Sequence, residues 1–273
     1  MKQVLIIAGK EIRDGLRNRW VIAATLLLGG LSLSLTFLGS APVGTVGVDR
    51  LAVAVVGLSS LTIYLVPLIA LMLSYDAIAG EMERGTMLLL LTYPVQRSQV
   101  VLGKFLGHGA ILAFAAIVGY GAAGLALISS SDAESWEAFA SMTLSSVLLG
   151  CAFLALGYLV SALVRERATA AGIAVVLWLA FVLLYDLALL GALVADKGRH
   201  IGTALFSALL LANPTDAYRL FNLAGFPKVS QFAGLAGLSG EAHVPRGVLV
   251  AILSLWVLLP LAAAAALFRR REL

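Results

Sequence analysis

The sequence predicts an all-α integral membrane protein of six transmembrane helices, and three observations lead there. Hydrophobic residues make up 61% of the chain and charged residues only 12%. The mean hydropathy is +1.00, outside the range of soluble domains. The apolar residues also fall in continuous runs long enough to cross a hydrocarbon core of about 30 Å. A backbone in lipid must satisfy its own hydrogen bonds, which leaves helices or closed barrels, and runs without period-two alternation select helices.

Taken in order, residues 3–19 place Leu5, Ala8, Ile12 and Leu16 at helical spacing, with Lys10, Arg13 and Arg17 on another face. That is the pattern of an interfacial amphipathic helix. Within a single 1–273 transmembrane domain, spans are predicted at 20–38, 51–75, 106–128, 139–164, 169–194 and 247–268. The first run exceeds the roughly 7 to 15 apolar residues of a signal peptide, and Glu11 and Asp14 precede it. It therefore reads as an uncleaved span. A link over 76–104 follows the second span and a loop over 195–246 follows the fifth. Inside that loop, 201–212 is apolar but too short to cross, so it rests on the membrane surface or docks a partner.

Basic residues orient the bundle. Lys2, Lys10, Arg13, Arg17 and Arg19 precede the first span, Arg84, Arg97 and Lys104 lie in the 76–104 link, Arg165 and Arg167 in the fourth-to-fifth turn, and Arg269, Arg270 and Arg271 in the tail. These are thirteen of the nineteen basic residues, all on one side. The other side holds Arg50, Lys197, Arg199, Arg219, Lys228 and Arg246, and its third-to-fourth connection carries Asp132, Glu134 and Glu137 with no base. The positive-inside rule makes the first side cytoplasmic, with both termini there. Juxtamembrane placement also accounts for the net charge of +4 without nucleic acid as a partner.

The chain contains no GxxxxGK[ST], HExxH or GxSxG, and His108, His200 and His243 are dispersed. Local spacing supports no phosphate-binding loop, catalytic site or metal site, so no cofactor is expected in this chain. The single Cys151 lies in an apolar run, where it reads as a packing residue. Gly103/Gly107 and Gly119/Ala123 have the spacing that permits close helix approach. Asp186, late in the fifth span, is an intramembrane acid. Two readings fit it: a pathway residue, or a packing residue that snorkels or bonds a neighbouring helix.

The link reads DAIAGEMERGTMLLLLTYPVQRSQVVLGK. Acidic Glu81 and Glu83 open it, Arg84, Gly85 and Thr86 follow, then an apolar block from Met87 to Leu91, a break at Pro94, and Arg97. A short helix of this kind suits either the bilayer surface or a groove on a cytoplasmic partner. This stretch resembles the signature of the ABC-2 type permeases, ExExGTxxxLLxxPVxRxxxxxGK. The resemblance extends along the chain through KEIRDGLRNR before the first span, SALVRERATA between the fourth and fifth, NPTDAYRL in the outer loop and the terminal FRRREL. It implies an N-terminal amphipathic elbow helix, a second copy as dimer partner, and a cytoplasmic coupling helix seated on a separate ATP-binding subunit dimer that carries the ATP and Mg. Matched by position, Glu81, Glu83, Arg84, Gly85, Thr86, Pro94 and Arg97 belong to that coupling link.

Taken with NPTDAYRLFNLAG, the link is similar to that of permeases in the ABC transporters that mature nitrous oxide reductase in denitrifying bacteria. That similarity implies a periplasmic β-helical accessory protein and a role in supplying copper-sulfur sites. One Cys, five Met and three dispersed His form no ladder of soft copper ligands. The composition therefore favours a sulfur-containing cargo or mechanical signalling over direct copper conduction. Two rival readings stand beside this one: a generic exporter of a lipid or drug, and a non-transporting membrane scaffold.

Overall fold

The computed structural model describes residues 1–38, 50–126, 133–196, 200, 202–223 and 244–271. Asp132, Lys197, Arg199, Lys228 and His243, with the side chains of Arg50 and Glu134, lie outside the described residues, as does most of the second half of the 195–246 loop. Twelve α-helices order the described chain: α1 Lys2–Leu16, α2 Arg19–Leu38, α3 Arg50–Ser74, α4 Ala79–Glu83, α5 Thr86–Leu91, α6 Arg97–Ala126, α7 Ala133–Leu163, α8 Arg167–Leu179, α9 Tyr185–Asp196, α10 Thr203–Leu211, α11 Pro214–Leu223 and α12 Arg246–Arg270. One π turn, Ala180–Leu184, joins α8 to α9 as a single long helix. Among the described residues six helices are long and apolar enough to span a bilayer: α2, α3, α6, α7, the α8–α9 unit and α12.

Helix α7 forms the axis of the bundle, packed against α3, α6, α11 and α12. Its most apolar stretch is 72% buried, whereas that of the fifth span is 17% buried. The core runs through Leu58, Val66 and Leu71 of α3, Leu149, Phe153 and Tyr158 of α7, and Leu253 and Phe268 of α12. The thin spans α2, α8–α9 and α12 present Leu and Val outward, the surface a bilayer would cover.

One expectation about local structure changes, and another gains a partner. The link is shorter than composition suggests, because α6 already begins at Arg97. Residues 97–104 extend a spanning helix, and Lys104 is buried in it. Helix α1 also buries a face against the protein that its apolar spacing leaves unspecified. Ile7, Ala8, Glu11 and Gly15 face inward, while Leu5, Ile6 and Leu16 are exposed. The reason is the surface α1 lies on. A Cβ added at Gly103 would come within 2.8 Å of Ile7 Cβ and 2.9 Å of the Val4 carbonyl, and one at Gly107 within 2.5 Å of Glu11 Cβ. The Gly103/Gly107 pair is thus the seat of α1 on α6 within one chain. Further along α6, Gly119 serves α2 in the same way, with Leu28 Cβ 3.0 Å from its added Cβ.

Candidate functional site

The densest set of charged side chains sits where α1, α4 and the start of α6 meet, at the end of the bundle that carries both termini. Lys104 Nζ lies 2.8 Å from Glu11 Oε1 and 2.6 Å from Glu81 Oε1. All three side chains are nearly inaccessible, at 3%, 10% and 15% exposure. A buried ammonium costs several kcal/mol unless paired. Here one cation binds a carboxylate from α1 and another from α4, so the three segments are tied at a single atom. Lys10 adds a second cation at 3.2 Å from Glu11 and 3.9 Å from Glu81. On the other side of Glu11, His108 Nε2 stands 3.5 Å from Oε2, and its Nδ1 bonds the Tyr158 hydroxyl of α7 at 2.8 Å. Burial pushes the Glu11 carboxyl up, but the hydrogen bonds from His108 and Lys104 and the Lys104 charge outweigh it and hold the group well below the usual carboxylate range.

Helix α4 owes its start to α7. Ser161 Oγ accepts hydrogen bonds from the backbone N–H groups of Ile78 and Ala79, each at 3.0 Å. These are orphan donors of a first helical turn, satisfied here by a side chain from a spanning helix. Gly85 follows in the left-handed conformation at φ +74° and turns the chain into α5. Thr86 Oγ1 donates back to the Glu81 carbonyl at 3.2 Å. On α5, Met87 is fully buried while Leu88 and Leu89 are exposed, so the helix keeps an apolar outer face.

The seven link residues singled out by sequence separate into distinct places. Glu81 joins the Lys104 tie. Glu83 Oε2 accepts the Arg167 backbone N–H at 2.8 Å, capping the start of α8, and Arg167 in turn lies 3.4 Å from Asp76. Arg84 is exposed beside a cavity of about 510 Å³ lined also by Glu11, Asp14, Tyr75, Asp76 and Lys104. Gly85 and Thr86 shape the bend. The Pro94 carbonyl accepts the Gln3 side-chain amide. Arg97 donates to the carbonyls of Phe268, Arg269 and Arg271 at the end of α12, where the last turn offers free acceptors. Arg271 in turn donates to the Ala162 and Val164 carbonyls at 3.1 and 2.7 Å.

Sequence reasoning missed Glu11, Asp76, His108, Tyr158 and Ser161 as partners of this link. A signal existed for one member: Lys104 closes the GK of the motif, and a lysine at the start of an apolar helix needs an anion when buried.

Asp186 sits at the opposite end. Its Oδ2 accepts from Arg219 Nη2 at 3.0 Å, and Arg219 Nη1 donates to Asp216 Oδ1 at 2.7 Å. It is therefore bonded to a neighbouring helix, α11. Of the remaining histidines, His200 is exposed and pairs with Asp196 at 3.0 Å.

Comparison with known proteins follows from this arrangement of six spans and a helical link tied to an N-terminal helix. A family model described as ABC-2 family transporter protein matches residues 5–273. The chain belongs to the ABC-2 transporter family. Two relatives described as probable ABC transporter permease protein NosY are similar over the full length. The one from Pseudomonas aeruginosa is 48% identical over 277 residues and covers 100% of both chains. The one from Stutzerimonas stutzeri is 46% identical over 275 residues and covers 99% of both. As an ABC-2 permease subunit, this chain is a multi-pass membrane protein, and its family implies a partner subunit that binds ATP.

Proposed function

We propose that the chain is the permease subunit of an ABC transporter that takes part in maturing the copper-sulfur sites of nitrous oxide reductase. It passes the closure of a separate cytoplasmic ATPase dimer, which carries the ATP and Mg, through the 76–97 link into the bundle. The output is cargo export or a conformational signal to a periplasmic β-helical accessory protein. The chain works as a homodimer in a bacterial inner membrane with both termini in the cytoplasm, the side its basic residues favour.

One observation supports this reading most: Lys104 bonds Glu81 of the link and Glu11 of α1 at 2.6 and 2.8 Å from within a spanning helix. A push on α4 reaches α1 and α6 together through charge-assisted bonds that a 0.5 Å slip would weaken. The exposed Arg84, Leu88 and Leu89 remain available as the docking surface, in the manner of a helix laid in a partner's groove. The copper-sulfur assignment rests on the relatives' names and on the link and NPTDAYRL segments.

Arg84→Glu and Leu89→Glu test the reading, since both side chains are exposed and their loss leaves the Lys104 tie intact. The expected result is normal insertion of the permease, loss of co-purification with the ATP-binding subunit, and nitrous oxide reductase lacking copper. Normal co-purification and a fully metallated reductase in both variants would overturn it.

A further inference from the structure

The far end of the bundle holds an arrangement that ATP coupling does not use. Helix α11 begins with Asn213 as its cap: Asn213 Oδ1 accepts the Thr215 backbone N–H at 3.0 Å and the Thr215 hydroxyl at 2.8 Å. Pro214 occupies the first helical position, as its fixed φ favours. The same two residues reach across to the fifth span, where Asn213 Nδ2 donates to the Phe181 carbonyl at 2.9 Å and the Thr215 hydroxyl, whose one proton is shared with Asn213 Oδ1, lies 3.2 Å from the same carbonyl. Phe181 lies in the π turn Ala180–Leu184, the kind of irregularity found where a helix forgoes regular geometry for a specific contact. Helix α11 is therefore docked on the π turn by its own cap.

Beside that contact two aspartates meet one guanidinium. Asp216 of α11 is fully inaccessible, with Oδ1 bonded to Arg219 and Oδ2 to Asn213 Nδ2 at 3.0 Å. Asp186, from the first turn of α9, shares Arg219 with it and lies within hydrogen-bond reach of it. Asp186 Oδ1 is buried with no hydrogen bond. Two carboxylates facing one guanidinium leave an uncompensated buried charge, and one carboxyl proton between them removes it.

Among the described residues, Arg219 is the cation bonded to the two aspartates. The Tyr185 hydroxyl donates to the Leu209 carbonyl at 2.6 Å, and α10 carries no ionisable side chain. The Tyr218 hydroxyl points elsewhere, to Ser146 at 2.9 Å. On the helices packed against α11, Arg246 of α12 lies over the Phe221 ring, Glu137 of α7 is exposed, and Tyr64 is the ionisable side chain on the described part of α3.

We propose that the Asp186–Asp216 pair is a pH-sensitive fastening, in which one shared proton seats α11 on the π turn of the fifth span and its loss frees α11. Burial, followed by the neighbouring Asp186 charge, pushes the Asp216 carboxyl up to about 7 against the opposing pull of Arg219. The closed seat therefore binds a proton that the open one, at an ordinary aspartate value, releases. Closure is strongest in acid and weakens as pH rises to neutrality, then changes no further. This device is independent of the function proposed above, since it needs neither cargo nor ATPase.

The test is hydrogen–deuterium exchange of α11 in the full-length chain in lipid nanodiscs, corrected for intrinsic exchange, across about pH 5 to about pH 9. Protection is expected to fall about tenfold per pH unit up to neutrality and to level off above it. Asp216→Asn, which mimics the protonated acid without the charge, is expected to keep α11 protected and flat with pH. Asp186→Asn removes the like charge and is expected to flatten the profile too. Constant protection of α11 across this range in the unaltered chain overturns the proposal, whatever the variants do. So does a profile that Asp216→Asn leaves unchanged.

Discussion

Two clusters of paired charge, one at each end of the bundle, place their acids in different surroundings. At the end carrying the termini, Glu11 and Glu81 share Lys104, with Lys10 and His108 alongside. At the other end, among the described residues, Asp186 and Asp216 share Arg219. Hydrogen bonds from His108 and Lys104, with the Lys104 charge, hold Glu11 well below the usual carboxylate range, whereas burial, with the neighbouring Asp186 charge, raises Asp216 to about 7 against the pull of Arg219. The first cluster ties three segments at one ammonium, and the second is the fastening proposed to respond to pH. On the proposed reading, in which the permease passes motion from one surface to the other, the two clusters would serve as a joint at one end and a releasable seat at the other.

The comparison breaks most readily at Lys104. Lys104→Met leaves Glu11 and Glu81 facing each other in a buried site, and removing one partner of a buried ion pair costs about 3–5 kcal/mol. Thermal unfolding of the full-length protein in nanodiscs is expected to show a large fall in Tm. Lys104→Arg keeps the charge and should retain most of the stability. Adding Glu11→Gln to Lys104→Met should restore part of the loss, because the two sites share one interaction. A Lys104→Met protein as stable as its parent would mean that the cluster ties nothing.

A smaller effect sharpens the same point through packing. Gly107→Ala places a methyl 2.5 Å from Glu11 Cβ and 3.0 Å from the Ala8 carbonyl, so α1 must lift from α6 at a cost of about 1–3 kcal/mol. Two residues on, Gly109→Ala meets only Cys151 Sγ at 3.9 Å and should be neutral or stabilising by up to about 1 kcal/mol. Exchange in α1 should rise for the first and stay level for the second. Equal behaviour would show that α1 is held by its own amphipathicity and not by this seat.

Much of the fold was legible because lipid permits few solutions: composition and run length predict six helices, and six are present among the described residues. What was not legible depends on pairing across sequence distance. Periodicity in 3–19 places Leu5 and Leu16 on the apolar face of an interfacial helix, but it does not say that a polar residue on another face turns inward. That is what Glu11 does, drawn by Lys104, ninety-three residues away. The Gly103/Gly107 spacing announces a close approach without naming the partner. Asp186 was recognisable as an acid in need of compensation, but Arg219 lies in a segment read as outer loop. The π turn that receives α11 has no distinctive composition in AFVLL.

The smallest predicted effect on stability concerns the link itself. Gly85 adopts φ +74° with nothing within 4 Å of an added Cβ, so substitution meets strain without a clash. Alanine in the left-handed region costs about 1–2 kcal/mol, and asparagine less, because its side chain bonds locally to the backbone. That strain falls on the bend between α4 and α5, which orients the exposed Leu88 and Leu89, while Lys104, Glu11 and Glu81 keep their places. Gly85→Ala is therefore expected to lower Tm only slightly and to leave exchange in α1 and α11 unchanged, yet to reduce co-purification with the ATP-binding subunit. Gly85→Asn should fall between this variant and the parent. If Gly85→Ala instead loosens α1, the bend and the Lys104 tie form one mechanical unit, and the input end has no separately adjustable part.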